Sequence, residues 1–324
     1  MSAPSSPTHN TSGTRWLLSH LDCGELGNRL VSYCWLLALA FEHRAAFTNL
    51  GFWRYARFFE LSDDLIVRPW EAQRPPNAGS TLGTLRRFPP IERWVQRRCR
   101  FDGDIVFDVP SLTRRALAFT FSRLSRTLLD PFLDFQHDGA PGRPATTLTL
   151  ATLKNWSCPT DDPSIIERHA PAIRAFLRPS AAICEQVAAF LDPLRRRHRA
   201  LVGIHIRRGD YRVYREGRWF FGDEVYRAVM ERFAELLGPE VGFVVASNDP
   251  VQPQSFAPFA VTPAPGHLML DLFSLAGCDF IAGPPSTFSG CASYLGGKPV
   301  FWMTEPDARP ADLAALKPWV PQLY

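Results

Sequence analysis

Residues 201–211 read Leu201-Val-Gly-Ile-His-Ile206-Arg207-Arg208-Gly209-Asp210-Tyr211, an apolar run that ends abruptly in two arginines, a glycine and a carboxylate. A strand without polar alternation belongs in a sheet covered on both faces. The chain beyond it repeats the pattern. Asp223–Leu237 is patterned as an amphipathic helix, Val241–Ala246 as a second strand and Phe259–Thr262 as a weaker third. Met269–Ala276 is helical, Phe280–Ala282 a short strand, Thr287–Leu295 helical and Val300–Met303 a last strand. Strands interleaved with helices predict an α/β fold built on a parallel sheet.

Working back toward the N-terminus, Pro159–Leu194 reads as helical segments punctuated by Pro163, Pro171 and Pro179. Residues 68–100 are rich in Pro and Arg and predict an irregular excursion. Ile105–Val109 is patterned as a strand and Ala116–Leu129 as a helix. Trp16–Leu21 is an apolar run leading into a turn, Asp22-Cys-Gly24-Glu-Leu-Gly27-Asn28-Arg29. Leu30, Cys34, Leu37 and Phe41 then recur at the spacing of an amphipathic helix. A glycine-bearing turn before a helix is the ordinary way to join strand to helix. The same arrangement aims a helix N-terminus, with its free N–H groups, at an anion.

At 324 residues the chain exceeds the roughly 250–300 at which one core stops growing, so two domains are expected. A hydrophobic fraction of 46% excludes a largely disordered chain. A net charge of +4 is too small to imply a nucleic-acid partner. Its lysines are Lys154, Lys298 and Lys317, so 33 of the 36 basic residues are arginines, many planar forks for phosphate. No stretch reaches the roughly 18–20 apolar residues of a membrane span. Residues 1–14 lack the features of a signal peptide and are expected to be a flexible leader. The expected location is therefore cytoplasmic, with peripheral contact at the inner face of a membrane as a variant. Cys23, Cys34, Cys99, Cys158, Cys184, Cys278 and Cys291 are scattered and odd in number, which predicts buried thiols instead of a disulfide framework or a zinc site.

In a parallel sheet ligands bind beyond the carboxyl ends of the strands. The first strand of the C-terminal half ends in His205 to Tyr211, the second in Ser247-Asn248-Asp249, and the fourth in Gly283-Pro-Pro-Ser286-Thr287-Phe288-Ser289. Guanidinium forks, hydroxyls and a helix start on one edge describe a pocket for an anion, most simply a diphosphate. Gly209 lets the backbone turn sharply there. Either arginine could instead brace the turn against Asp210, and one of the two is expected to do so.

His205-Ile-Arg-Arg-Gly-Asp-Tyr211 resembles the central signature of the α-1,2-fucosyltransferase family and of its wider relatives, the α-1,6- and protein O-fucosyltransferases. Gly24-Glu-Leu-Gly27-Asn28-Arg29 is similar to the family's N-terminal element, with Arg where Gln is usual. Asp271-Leu-Phe-Ser-Leu-Ala276, Phe280-Ile-Ala282 and Ser286-Thr-Phe-Ser289 resemble its third block, and Gly222-Asp-Glu-Val-Tyr226 its helix after the signature. The likeness covers about residues 16–45 and 201–302. It departs at Gly290-Cys291-Ala292, where the α-1,2 branch has a tryptophan pair and a glycine, and at Pro284-Pro285.

The resemblance implies a GT-B type α/β fold of two Rossmann-like domains facing a central cleft, with an acceptor-side domain over 15–185 and a GDP-sugar-binding domain over 186–324. It implies an inverting transfer of L-fucose from GDP-L-fucose to a glycan hydroxyl, O2 of a terminal galactose above all, with no cofactor. By position, Arg207 is the diphosphate arginine, with His205 and Arg208 shaping the pocket. Asp271 reads the guanine edge. Ser286, Thr287 and Phe288 would line the phosphate and fucose side, Gly27 and Asn28 the opposite wall, with Asn248 and Ser289 as further substrate-binding residues. Asp210 is the nearest carboxylate that could act as base, with Glu25 and Glu216 as other candidates. The alternatives are a non-catalytic GDP-sugar-binding module and a fucosyltransferase acting on a protein hydroxyl.

Charge building on the departing phosphate needs a metal or fixed donors. Asp102-Gly103-Asp104 matches the Asp-x-Asp of metal-using enzymes but precedes its apolar run, so a metal-independent reaction is expected. Trp219-Phe220-Phe221 is the aromatic stretch expected to overhang the site and meet an acceptor sugar.

Overall fold

The computed structural model describes residues 15–19, 25–43, 45–49, 52–61, 148–150 and 162–321. The expected elements at Ile105–Val109 and Ala116–Leu129, the excursion over 68–100 and the Asp102-Gly103-Asp104 motif lie outside the described residues. Two compact units divide the chain. One comprises residues 1–21, 36–51 and 62–155, the other residues 22–35, 52–61 and 156–324.

In the first unit, β1 (Arg15–Ser19), β2 (Ala45–Asn49) and β3 (Leu148–Leu150) form a parallel sheet in the order β2-β1-β3. Arg15 lies opposite Ala45 and Trp16 opposite Leu148. Helix α1 (Leu26–His43) follows β1; its residues 26–35 belong to the second unit and 36–43 to the first. Its start differs from expectation, because Gly27, Asn28 and Arg29 occupy its first turn instead of a preceding loop. It is also not amphipathic: Leu26 and every residue from Leu30 to Ala40 are buried. A helix apolar on all sides belongs inside.

The second unit carries the larger sheet. Its strands are β4 (Ala200–Ile206), β5 (Val241–Ser247), β6 (Val261–Pro263), β7 (Phe280–Gly283), β8 (Pro299–Trp302) and β9 (Lys317–Pro318). Their order is β6-β5-β4-β7-β8-β9, all parallel except β9. The order reverses between β4 and β7, a switch point at which α/β sheets open a crevice. The antiparallel β9 is too short and polar to be read from sequence.

Alternation along β4 assigns its two faces. Val202, Ile204 and Ile206 pack with Tyr226, Val229, Met230 and Phe233 of α3 (Asp223–Leu237). Leu201 packs with Val244 and with Leu191 and Leu194 of α2 (Ala181–Arg195). Helices α4 (Leu268–Ala276) and α5 (Thr287–Gly296) precede β7 and β8. Residues 52–61 join this unit through an antiparallel bridge of Phe59 to Pro179, with the Glu60 amide on the Arg178 carbonyl at 2.9 Å.

Cys34, Cys278 and Cys291 are buried free thiols as expected. Cys184 corrects that reading. It is exposed on the outer side of α2, where the helix needs no apolar residue. Among the described residues, no helix is long and apolar enough to cross a membrane.

Candidate functional site

The carboxyl ends of β4 and β7 and the first turns of α1 and α5 meet in the second unit. Ser286 caps α5, its hydroxyl accepting the Phe288 amide at 3.2 Å. At that place in a helix the Thr287 and Ser289 amides have no intrahelical acceptor. Thr287 Oγ1 donates to Asn28 Oδ1 at 2.8 Å, and the Cys291 thiol to the Gly27 carbonyl at 3.3 Å. A Cβ on Gly27 would stand 2.8 Å from the Phe288 nitrogen, so only glycine lets the two helix starts approach this closely. The amide nitrogen of Asn28 carries two further donors.

His205, the last but one residue of β4, is buried. Its Nδ1 lies 2.6 Å from Ser289 Oγ, and its ring lies 5.1 Å from that of Phe288. Burial, reinforced by the neighbouring Arg207 charge, pushes the imidazole down to about 3, so it is neutral at physiological pH. A neutral ring can donate or accept one hydrogen bond but brings no positive charge to an anion.

The positive charge comes from the next two residues. Arg207 pairs with Asp210 at 2.8 Å, and its guanidinium lies 5.5 Å from the centre of the Tyr211 ring. Its Nε is buried and finds no acceptor among the described residues. Leaving such a donor unpaired is costly, on the order of 1–3 kcal/mol, which marks the position as one built for a further acceptor. Arg208 pairs with Asp223, in the first turn of α3. One bracing arginine was expected; both carry a carboxylate partner. The second partner lies fifteen residues along the chain and becomes a neighbour only because α3 starts beside the end of β4.

Asn248 supports the turn from β5. Its Oδ1 accepts the Arg208 amide at 2.8 Å. Gly209 has φ +51°, and a Cβ there would meet the Asn248 amide at 2.7 Å. Tyr211 reaches across to β7's loop, donating its hydroxyl to the Pro285 carbonyl at 2.5 Å, and desolvation raises its phenol to about 12. His205, Arg207, Arg208, Asn248, Ser286, Thr287, Phe288, Ser289, Gly27 and Asn28 therefore belong to one connected neighbourhood. Asp210, with its side chain 57% exposed, stands at its solvent edge.

Asp271 sits apart from these contacts, in the first turn of α4. It is buried, its Oδ1 accepts the Gly266 amide at 2.9 Å, and desolvation raises its carboxyl above the usual range. Sequence reasoning pointed to Trp219 beyond the signature but missed the two tyrosines that join it. Tyr211 and Tyr214 stack at 5.3 Å, and Trp219 lies 6.0 Å from Tyr214. Phe221, expected to overhang the site, is core; it follows the turn into α3 and packs inward. Among the described residues no group of three His, Cys, Asp or Glu side chains is placed to hold a metal ion.

The fold is of the GT-B type. It matches NodZ α-1,6-fucosyltransferase, solved after soaking with GDP-fucose, at a TM-score of 0.51 and 16% identity, over 91% of this chain and 97% of that one. Fucosyltransferase NodZ from Bradyrhizobium aligns with 15% identity over 91% and 97% of the two chains at a TM-score of 0.49. POFUT1 in its apo form aligns with 15% identity over 93% and 99% at 0.46. No protein-family model and no curated protein sequence matches the chain. At 16% identity the likeness to NodZ concerns the α/β architecture of Rossmann-like sheets.

Proposed function

We propose that the protein is a glycosyltransferase that moves L-fucose from GDP-L-fucose to a glycan hydroxyl, with inversion and without a metal. The observation that carries this reading is the buried Arg207 Nε, without an acceptor among the described residues, at the end of β4 where the order of a parallel sheet reverses. A guanidinium fork and free amides are the groups that hold a diphosphate, and the fold is shared with a fucosyltransferase that was soaked with GDP-fucose.

Arg207 bears the charge that grows on the departing β-phosphate. The Thr287 and Ser289 amides and the Asn28 amide assist it, and preorganised donors of this kind are each worth on the order of 10²–10³ in rate. His205 and Ser289 form a neutral floor against which Phe288 packs. Arg208 and Asn248 hold the turn that aims Arg207. Asp271 reads the guanine edge. The transfer is a direct displacement: the acceptor oxygen bonds to the anomeric carbon as the bond to the β-phosphate oxygen breaks, and the electron pair leaves with GDP. The acceptor proton passes to Asp210, which is exposed enough to meet an incoming hydroxyl. The favoured acceptor is O2 of a terminal galactose.

Incubation with GDP-fucose and a panel of galactosides, following GDP release, tests the reading. Acceptor-dependent GDP release is expected, and its rate should not fall in chelator. Donor binding without release over a panel that also contains protein acceptors would replace the enzyme with a binding module.

A further inference from the structure

The loop between β4 and α3 exposes what the core normally hides. Val213 is 80% exposed and Tyr214 45%, two of the three large hydrophobic residues exposed among the described residues. They are not loosely displayed. Tyr214 stacks on Tyr211 with planes 28° apart, Trp219 closes the group at 6.0 Å from Tyr214, and Tyr211 itself is tied to Pro285 and lies under Arg207. Arg218 anchors the far end of the loop to Glu305 at 2.6 Å. The Trp219 indole N–H is buried without an acceptor among the described residues.

The backbone is forced at the same place. Arg215 and Glu216 have φ of +47° and +61°, the two non-glycine residues with positive φ among those described, and Gly217 follows at +77°. Such conformations persist where surrounding structure imposes them, and they gather at ligand sites. Here they fold Arg215 back so that its guanidinium lies 5.2 Å from the Trp219 ring centre and 5.8 Å from that of Tyr214. Arg207, Arg208 and Arg218 each have a carboxylate partner; among the described residues Arg215 and Arg212 meet rings and no carboxylate, Arg212 lying over Phe220 at 4.9 Å.

We propose that Tyr214 and Arg215 recognise the acceptor, and that the galactose of that reading carries a carboxylate at C6, a galacturonic acid whose O2 remains the accepting position: its apolar ring face lies on Tyr214 and its carboxylate takes the fork of Arg215. The inference rests on the fucosyl-transfer reading, since it places the acceptor one ring away from the arginine assigned to the diphosphate. Aromatic faces suit the C–H side of a pyranose, and a planar guanidinium held on a ring matches a carboxylate through two parallel hydrogen bonds. A neutral sugar would leave that fork unused. Arg212, the other arginine of this loop that meets no carboxylate among the described residues, adds to the positive field around the platform.

The test compares methyl β-galactopyranoside with methyl β-galactopyranuronoside, which differ only in the oxidation state of C6. Titration of each, read by tryptophan fluorescence with Trp219→Phe as reference, should give a saturable change with the uronoside at an affinity at least about tenfold above the galactoside. Arg215→Gln should remove the preference, Tyr214→Ala should weaken both sugars, and Tyr214→Phe should restore binding. GDP affinity, measured in parallel on every variant, separates this proposal from the one beneath it. Equal affinity for the two sugars, or a preference that survives Arg215→Gln, in a protein that binds GDP would overturn the uronate assignment alone. A protein that does not bind GDP would overturn the fucosyl-transfer reading on which it stands.

Discussion

Gly27 and Thr287 lie 260 residues apart in sequence, yet a Cβ on the first would come within 2.6 Å of the hydroxyl oxygen of the second. Thr287 could rotate away. The Phe288 nitrogen, at 2.8 Å from the same point, belongs to the backbone of α5 and could not. Gly27→Ala therefore has to push two helix starts apart. A loss of about 1–3 kcal/mol is expected, the usual cost of overpacking. Differential scanning calorimetry would record it as a Tm drop of several degrees. An unchanged Tm would mean that the first turns of α1 and α5 are not held in contact.

Buried and neutral, His205 gives the protein a pH signature. The unfolded chain takes up a proton near pH 6.5, whereas the folded imidazole does so only near 3. Between those values the unfolded state binds more protons, so stability is complete above pH 6.5 and falls as the pH drops toward 3. By pH 4 the loss from this one group reaches on the order of 3 kcal/mol. His205→Asn keeps a polar atom facing Ser289 but cannot be protonated. Its denaturant midpoint should fall less between pH 6.5 and 4 than that of the wild type. Parallel curves would show that His205 is protonated in the folded protein.

Asp271 is the proposed reader of the base. Inosine diphosphate lacks the exocyclic amine of guanine, so it tests that contact without touching the phosphates. The wild type should prefer GDP over IDP by about 10- to 100-fold, the worth of a hydrogen bond to a charged acceptor. Asp271→Asn should lose that preference while keeping an oxygen for the Gly266 amide. Desolvation raises the Asp271 carboxyl, so the preference should fade on acidification at a higher pH than an ordinary carboxylate would allow. Equal preference in the variant would place the base elsewhere.

Much of the second unit was legible because its strands are covered on both faces. Leu201–Ile206 and Val241–Ala246 have no polar alternation to blur them, and the predicted Asp223–Leu237 helix has the bounds observed. The convergence of three loops also follows from strand parallelism, since every parallel strand delivers its next loop to the same edge. The start of α1 was misplaced because Gly27 and Asn28 are turn formers by propensity, and the contact with α5 that makes them helical is invisible locally. Ala45–Asn49 carries too few β-branched residues to announce a strand. The Arg208–Asp223 pair depends on where α3 begins. The left-handed run at Arg215 and Glu216 had no signal beyond the glycine after it, so the ring platform it builds appeared only in three dimensions.

Arg207 is the centre of the account, and calorimetric titration with GDP tests it most directly. The wild type should bind GDP. Arg207→Lys keeps the charge but loses the fork and the buried Nε, and should weaken binding by about tenfold or more; Arg208→Lys, whose partner is Asp223, should weaken it less. A folded Arg207→Lys protein that binds GDP as tightly as the wild type would contradict the assignment of the diphosphate to this edge of the sheet.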